Sequence, residues 1–377
     1  MGLRWSERIR LEDGWGFRPD EVDAYRFGGS RRIDECTRFL TREHKSRLLH
    51  DPVNLDHCAH MLGDKWVAAA LLERAGCETP RTYGLYLPIR GTSSEGQPFG
   101  DLNSVRARLG DELPAGLVFK PRFGQQGRNV RIAEVRSSNG DPHLRVGGIA
   151  TTLSAILSEL PDDGEGFLLQ ERIVQHEELD VLCPDTTNTV RVVTFLTCTN
   201  DVRILAATLR IGRHGATLDT WDQGGVSVGV EPSTGVLGQG CFKPTHGGAW
   251  VSHHPDTDVL LAGRRLPHWA DVQDLATRAA RAIPGLRIVG WDLAIGRRGP
   301  VVIEGNVGWH LPAVQMHTSG MLTPQLRADL ASLGVHLPGE LPGLARSIGC
   351  RGSRRTREIT RRGRKRVQRL LGVRPWT

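Results

Sequence analysis

The chain has 377 residues, enough for two or three lobes with a sizeable buried core. Hydrophobic residues at 39% and charged residues at 24% describe an ordinary globular protein, and no apolar run approaches the ~18 residues of a membrane span. The formal charge of +7 does not argue for a basic body: residues 351–377 alone hold ten arginines and one lysine against Glu358, which leaves −3 for the rest. The cysteines (Cys36, Cys58, Cys77, Cys183, Cys198, Cys241, Cys350) are scattered without CxxC spacing, which argues against disulfides or zinc and for a reducing cytoplasm. The first residues lack the apolar stretch of a secretory signal.

Residues 1–60 are polar with short helical stretches, where Ile33, Cys36, Phe39 and Leu40 fall at helical spacing. DKWVAAALLERAG predicts a helix, with Asp64 as its cap and Gly76 as its stop. Pro80 and Tyr83 lead into a strand, and residues 90–100 form a loop. GLVFKPRFGQQGRNVRIAEV reads as strand, glycine turn, strand. A helix over 151–160 ends at Pro161, and FLLQERIV is a largely apolar strand. TVRVVTFLTC and VRILAATLRIG alternate as strands around the turn at Thr199, Asn200 and Asp201. A helix from Pro267 to Ile283 precedes two further strands, IVGWDLAIG and PVVIEGNVG. Residues 323–348 are loop and short helix. Antiparallel-looking pairs with a few helices predict α+β lobes, not one doubly wound sheet.

Four groups of residues carry chemistry. In KPRFGQQG, Lys120 ends a strand and Gly124 and Gly127 follow, so backbone N–H groups and a mobile ammonium can approach phosphate oxygens. A solvated hairpin is the bland alternative. Glu304 and Asn306 lie two apart on one strand and share a face, and Asp292 on the neighbouring strand can oppose them. Two carboxylates and an amide are hard oxygen ligands suited to Mg2+ with nucleotide phosphates, although salt bridges to arginine would account for them too. Gln170, Glu171 and the Ile173 backbone follow a buried strand and could read an adenine edge, with His176, Glu178 or Asp180 near ribose hydroxyls. Arg191 and Arg210 on paired strands offer rigid forks for carboxylates and phosphoryl groups.

The order of these elements resembles the ATP-grasp superfamily. The likeness is greatest to its sugar-transfer-associated family, itself related to alpha-L-glutamate ligases. It rests on GDKW at 63–66, FKPRFGQQGRNV at 119–130, LLQERIVQHEEL, NTVRVVTF, ATLRIGRHG, DQGGVSVGVEPSTG, HHPDT and IVGWDLAIGRRGPVVIEGNVG. The resemblance implies an ATP-grasp fold of two α+β lobes clasping ATP. It implies a lid lobe at 61–170 and a large lobe at 171–345; residues 1–49 and 317–377 fall outside the resemblance, and composition alone gives the helical region at 1–60 and the basic tail at 346–377. The resemblance makes Lys65 and Lys120 phosphate-binding lysines, with Arg122, Gly124, Gln125, Gln126 and Gly127 in the nucleotide-covering turn. Gln170, Glu171, Arg172 and Ile173 become the adenine hinge, with His176, Glu178 or Asp180 near ribose. Asp292, Glu304 and Asn306 become Mg2+ ligands. Arg210 becomes the arginine that steadies an acyl phosphate, and Arg191 faces phosphate or substrate. One departure stands out: Asp219 is followed by Thr220 and Trp221 where relatives tend to have Asp-Asn.

The activity so implied is an ADP-forming carboxylate–amine ligase using ATP and Mg2+, its partners being small-molecule or peptide acids and amines. A phosphotransferase acting on a hydroxyl or sugar would use the same cradle. A non-enzymatic nucleotide- or nucleic-acid-binding protein would leave the spacing of Asp292, Glu304 and Asn306 unexplained. The tail, with Ile359, Val367, Leu370 and Leu371 on one side of a basic helix, suits an anionic membrane surface or nucleic acid, or else a disordered tail. His253 and His254 read as loop residues.

Overall fold

The computed structural model describes residues 3–110, 113–124, 127–137 and 141–337. Gln125, Gln126, Cys350 and the basic tail lie outside them. The chain opens with α1 (Trp5–Ile9), α2 (Pro19–Ala24) and a short helical turn, Ile33–Arg38. The expected helical run through Phe39 and Leu40 is corrected here. The turn stops at Arg38 and Phe39 is extended. Its ring sits 5.1 Å from both Tyr25 and Phe27, in an apolar cluster that also takes in Trp221, Cys241 and Met316. Burial among aromatic rings outweighs local helical periodicity.

Thr41 caps α3 (Arg42–Leu48), accepting from the His44 N–H at 3.2 Å. Next come α4 (Asp56–Gly63) and α5 (Lys65–Arg74). Asp64 caps α5 as expected, accepting from the N–H groups of Trp66 and Val67.

The first sheet holds β1 (Thr82–Tyr86), β2 (Thr92–Ser93), β3 (Gly116–Pro121), β4 (Arg131–Ser137), β5 (His143–Val146), β6 (Ile149–Thr152) and β7 (Phe167–Glu171), ordered β2-β1-β7-β3-β4-β5-β6. Helices α6 (Leu102–Leu109) and α7 (Leu153–Glu159) cover one face through Val105, Leu117, Phe119, Ile156 and Leu169. Alternation sends Lys120 and Gln170 to the other face.

After α8 (Glu177–Asp180), the second sheet is built from β8 (Thr189–Leu196), β9 (Val202–Ile211), β10 (Val226–Val230), β11 (Leu237–Cys241), β12 (Trp250–Val251), β13 (Ile288–Gly296) and β14 (Gly299–Asn306). Their order is β12-β11-β10-β9-β8-β13-β14. Both sheets are antiparallel throughout, which gives the α+β class. Helix α9 (Trp269–Ala282) joins α4 and α5 on one face, over Val190, Val192, Leu209, Trp291 and Leu293. On the opposite face, α3, Trp309, α10 (Leu311–Gln315) and α11 (Pro324–Ser332) cover Val193, Phe195, Ala206 and Ile288. Each apolar side chain buried there contributes about 1.5–3 kcal/mol. The remaining end of that face forgoes this stabilisation and carries charged side chains instead.

Among the described residues, no helix is long and apolar enough to cross a membrane, and the six cysteines are free.

Candidate active site

The two sheets meet along a crevice lined by Lys65, Lys120, Gln170, Ile303 and Glu304, with about 20 Å³ of free volume, room for one water. Lys65 opens α5 and donates from Nζ to the Gly124 carbonyl at 2.8 Å. Lys120 is buried, and among the described residues its Nζ hydrogen-bonds only the Ile303 carbonyl, at 3.4 Å. Burial pushes its pKa down to about 8, with Glu304 opposing and Lys65 adding to the shift. The Ile303 carbonyl is available because of a bulge: Asp292 pairs with Glu304 but Leu293 with Val302, so Ile303 is an extra residue in β14. Arg122 forms a two-pronged ion pair with Asp64 at 2.6–3.0 Å, tying the β3–β4 turn to the start of α5. Gly127 has φ +67°, a left-handed conformation that favours glycine, and it lies against the Leu218 side chain of the second lobe.

The facing sheet supplies the acids and arginines. Arg191 on β8 lies directly across from Asp292 on β13. Its Nε and Nη2 donate to the two Asp292 carboxylate oxygens at 2.7 and 2.6 Å. Arg210 Nη2 donates to Asp292 Oδ2 at 2.9 Å and to Thr189 Oγ1 at 2.6 Å. Asp219 holds Thr189 in turn, accepting from its N–H at 2.9 Å and its hydroxyl at 2.5 Å. The Asn306 side-chain amide is 3.0 Å from Glu304 Oε1 and 3.4 Å from Asp292 Oδ2. Burial opposes the charge on Asp292, but the two guanidiniums outweigh it and hold the carboxyl below its usual range. Burial dominates at Asp219 and raises its pKa, despite Arg210. Arg210 is raised, because Asp219, Asp292 and Glu304 together overcome its burial.

A family model for sugar-transfer associated ATP-grasp proteins matches residues 44–328. The chain belongs to that family. No curated protein matches it. Among solved structures, it is similar to an L-amino acid ligase from Bacillus licheniformis, at 14% identity and TM-score 0.36, over 66% of this chain and 41% of that one. It is also similar to the ATP-grasp ligase PsnB complexed with a minimal precursor, at 14% identity and TM-score 0.39, over 74% and 63%. A third is a biotin carboxylase from Campylobacter jejuni, at 12% identity and TM-score 0.41, over 74% and 48%. These likenesses concern the fold alone, and the chain spans less than two thirds of each structure's length.

Within the ATP-grasp fold, the segment read as an adenine hinge is the strand-to-strand crossing. The backbone of Gln170 is paired on both sides, with Val118 and Thr82, and its amide donates to Thr82 Oγ1 at 2.7 Å. The Glu171 N–H donates to the Arg81 carbonyl, and the Glu171 carboxylate accepts from the Arg81 N–H at 3.2 Å. The Arg172 N–H donates to the Gly116 carbonyl, and its guanidinium lies 3.5 Å from Glu134. Ile173 packs beside Gly296, and the His176 N–H reaches the Ile295 carbonyl of β13. His176, Glu178 and Asp180 do not line the crevice. His176 caps α8, and Glu178 faces an open hollow with Arg264, Arg265 and His268.

The roles of four residues escaped sequence reasoning. Asp219 is a clamp on Thr189. Trp221 is buried, with its Nε1 donating to the Cys241 carbonyl at 2.9 Å and its ring edge-on to His310. Lys45, on α3, stands over the Trp309 ring, within the field of Arg191. His254 is a buried anchor, its ring contacting the Gly212 carbonyl at 3.0 Å and Thr257 Oγ1 at 3.2 Å. With the Arg213–Asp256 pair it fixes the segment after β9.

For a divalent cation the donor chemistry fits. Asp292 and Glu304 offer carboxylate oxygens, and Asn306, whose NH2 donates to both, adds an amide oxygen, all of them hard donors. Among the described residues, no group of three His, Cys, Asp or Glu side chains is placed to hold a metal. The set is a mixed carboxylate–amide one, and Asp292 already carries two guanidiniums.

Proposed function

We propose that the protein is an ADP-forming carboxylate–amine ligase acting on small-molecule or peptide substrates. One observation carries this reading. Lys120 from the first sheet and Lys65 from α5 face Glu304 beside Arg191 and Arg210 of the second sheet, and among the described residues the buried Lys120 ammonium has a single, long hydrogen bond to a carbonyl. A desolvated cation so poorly partnered favours an anionic ligand such as a polyphosphate.

ATP is a substrate of the reaction. A carboxylate oxygen bonds to the γ-phosphorus as the bond to ADP breaks, giving an acyl phosphate. The amine nitrogen then bonds to the acyl carbon, phosphate leaves and the amine loses a proton. Lys65 and Lys120 hold phosphate oxygens. Arg191 and Arg210 face the reacting carboxyl as forks already oriented by Asp292 and Thr189, so little reorganisation is needed when charge develops. Glu304 and Asn306, with Asp292 behind them, would hold Mg2+, which when bound neutralises charge on the phosphates. The β3–β4 turn resting on Leu218 shields the site from water. The narrow crevice requires the lobes to part for nucleotide entry.

The test is ADP and phosphate release from Mg2+-ATP across a panel of amino acids, short peptides and amino sugars, with Glu304→Ala as control. Release that needs both an acid and an amine, and vanishes in the variant, supports the ligase. Release with a hydroxyl acceptor alone replaces it with a phosphotransferase.

A further inference from the structure

Lys45 belongs to the helical region ahead of the two sheets, yet it comes within the field of Arg191 on β8. Its Nζ lies 5.4 Å from the centroid of the Trp309 ring. Trp309 is buried against Gly290, where a Cβ would come within 2.8 Å of the tryptophan Cβ, and Gly290 pairs with Asn306. Lys45 is therefore placed from the same strand pair that places the metal-type ligands. It is half-buried and close enough to Arg191 for their charges to repel. Burial, reinforced by Arg191 and Arg42 against a weaker pull from Glu21, lowers its pKa to about 8. His310 joins the same neighbourhood, within the field of Lys45, Arg191, Lys243 and Asp222.

The acids nearby are already engaged. Asp292 is held by Arg191 and Arg210, Asp222 by Lys243, and Glu21 accepts from the Arg18 N–H. Among the described residues, Lys45 forms no hydrogen bond or ion pair with an acid. A half-desolvated ammonium beside a guanidinium, over an aromatic ring, is complementary to an anion. The phosphate-facing lysines, Lys65 and Lys120, line the crevice with Gln170 and Glu304 and Lys45 does not, so the anion Lys45 faces belongs to the second substrate region.

We propose that Lys45 anchors a substrate subsite beside Arg191, and that one substrate carries an anionic group, separate from its reacting group, which Lys45 binds. This rests on the ligase reading for the word substrate. The group sits on the acid or on the amine, and the two sources share the same recognition chemistry.

The experiment is equilibrium binding to the full chain with Mg2+ and a non-hydrolysable ATP analogue, which needs no turnover. Two matched pairs serve as probes: glutarate against pentanoate for the acid, and glycine against ethylamine for the amine. In one pair the anionic member binds at least about tenfold tighter, the size of one charge-assisted contact. Lys45→Met, which keeps the packing on Trp309, abolishes that preference. Lys45→Arg retains it, and both variants keep wild-type nucleotide affinity. The proposal is overturned if neither pair is discriminated, if Lys45→Met keeps the preference, or if Lys45→Met weakens nucleotide binding equally. A protein that discriminates a pair but releases no ADP with any acid and amine keeps the subsite and loses the ligase.

Discussion

On the second-lobe side of the crevice, Asp292 receives three charged hydrogen bonds within 2.6–2.9 Å from Arg191 and Arg210, and Thr189 and Asp219 brace Arg210. On the first-lobe side, Lys120 is also buried, but among the described residues its ammonium has one hydrogen bond, at 3.4 Å to an uncharged carbonyl. Both clusters desolvate charge, and only the first compensates it internally. A compensated cluster is part of what folding builds. An uncompensated one is held in place by the fold at some cost in stability, and that cost is recovered when an anion binds. The two sides should therefore respond to mutation in opposite ways.

The largest effect is expected at the compensated cluster. Asp292→Ala strands two buried guanidiniums, so it should destabilise the fold by about 3–5 kcal/mol, read as a lower midpoint in chemical denaturation. A loss below about 1 kcal/mol would break the comparison. Glu304→Ala is expected to leave stability near wild type while cutting ADP release by about a hundredfold or more, since Glu304 faces the lysines without an arginine partner of its own. Lys120→Met is expected to weaken nucleotide-analogue binding by about tenfold or more, yet to match or exceed wild-type stability.

The same lysine gives a pH signature. Its folded pKa of about 8 lies below the ordinary 10.5, so between those values the unfolded chain binds more protons than the folded one. Stability therefore rises with pH through that window, and the burial penalty is fully present below about 8. Lys45, also lowered to about 8, acts with the same sign. Lys120→Met should flatten part of the rise, which urea titrations at pH 8 and 10 would detect. The smallest effect is expected far from both clusters, at the partly exposed Arg213–Asp256 pair. There Asp256→Asn should change stability by about 0.2–1 kcal/mol.

Much of this arrangement could be read from the sequence, because strand alternation fixes which side chains share a face. Glu304 and Asn306 had to lie together, and Arg191 had to share a side with Val193 and Phe195. The pairing of Arg191 with Asp292 could not be read, since it depends on a register across 101 residues. Nor could β10 and β11, whose glycines weaken any strand signal. The fold requires those glycines: a Cβ on Gly229 would meet His317 Cβ at 2.7 Å, and one on Gly240 would meet Val226 Cγ1 at 2.7 Å. Lys45 lay beyond the motifs because tertiary packing of α3 on Trp309, not spacing, brings it to the site. The place of Glu178 could not be read either, since the short helix α8 sets it beside an open hollow with Arg264, Arg265 and His268.

The central claim is that the charged crevice activates a carboxylate by phosphorylating it. The most direct measurement uses an acid substrate labelled with heavy oxygen in its carboxylate, turned over with Mg2+-ATP and an amine, with the released phosphate analysed by mass. An acyl phosphate transfers one labelled oxygen to the phosphate in every turnover, and that is the predicted result. Unlabelled phosphate, with ADP still formed, would contradict the account.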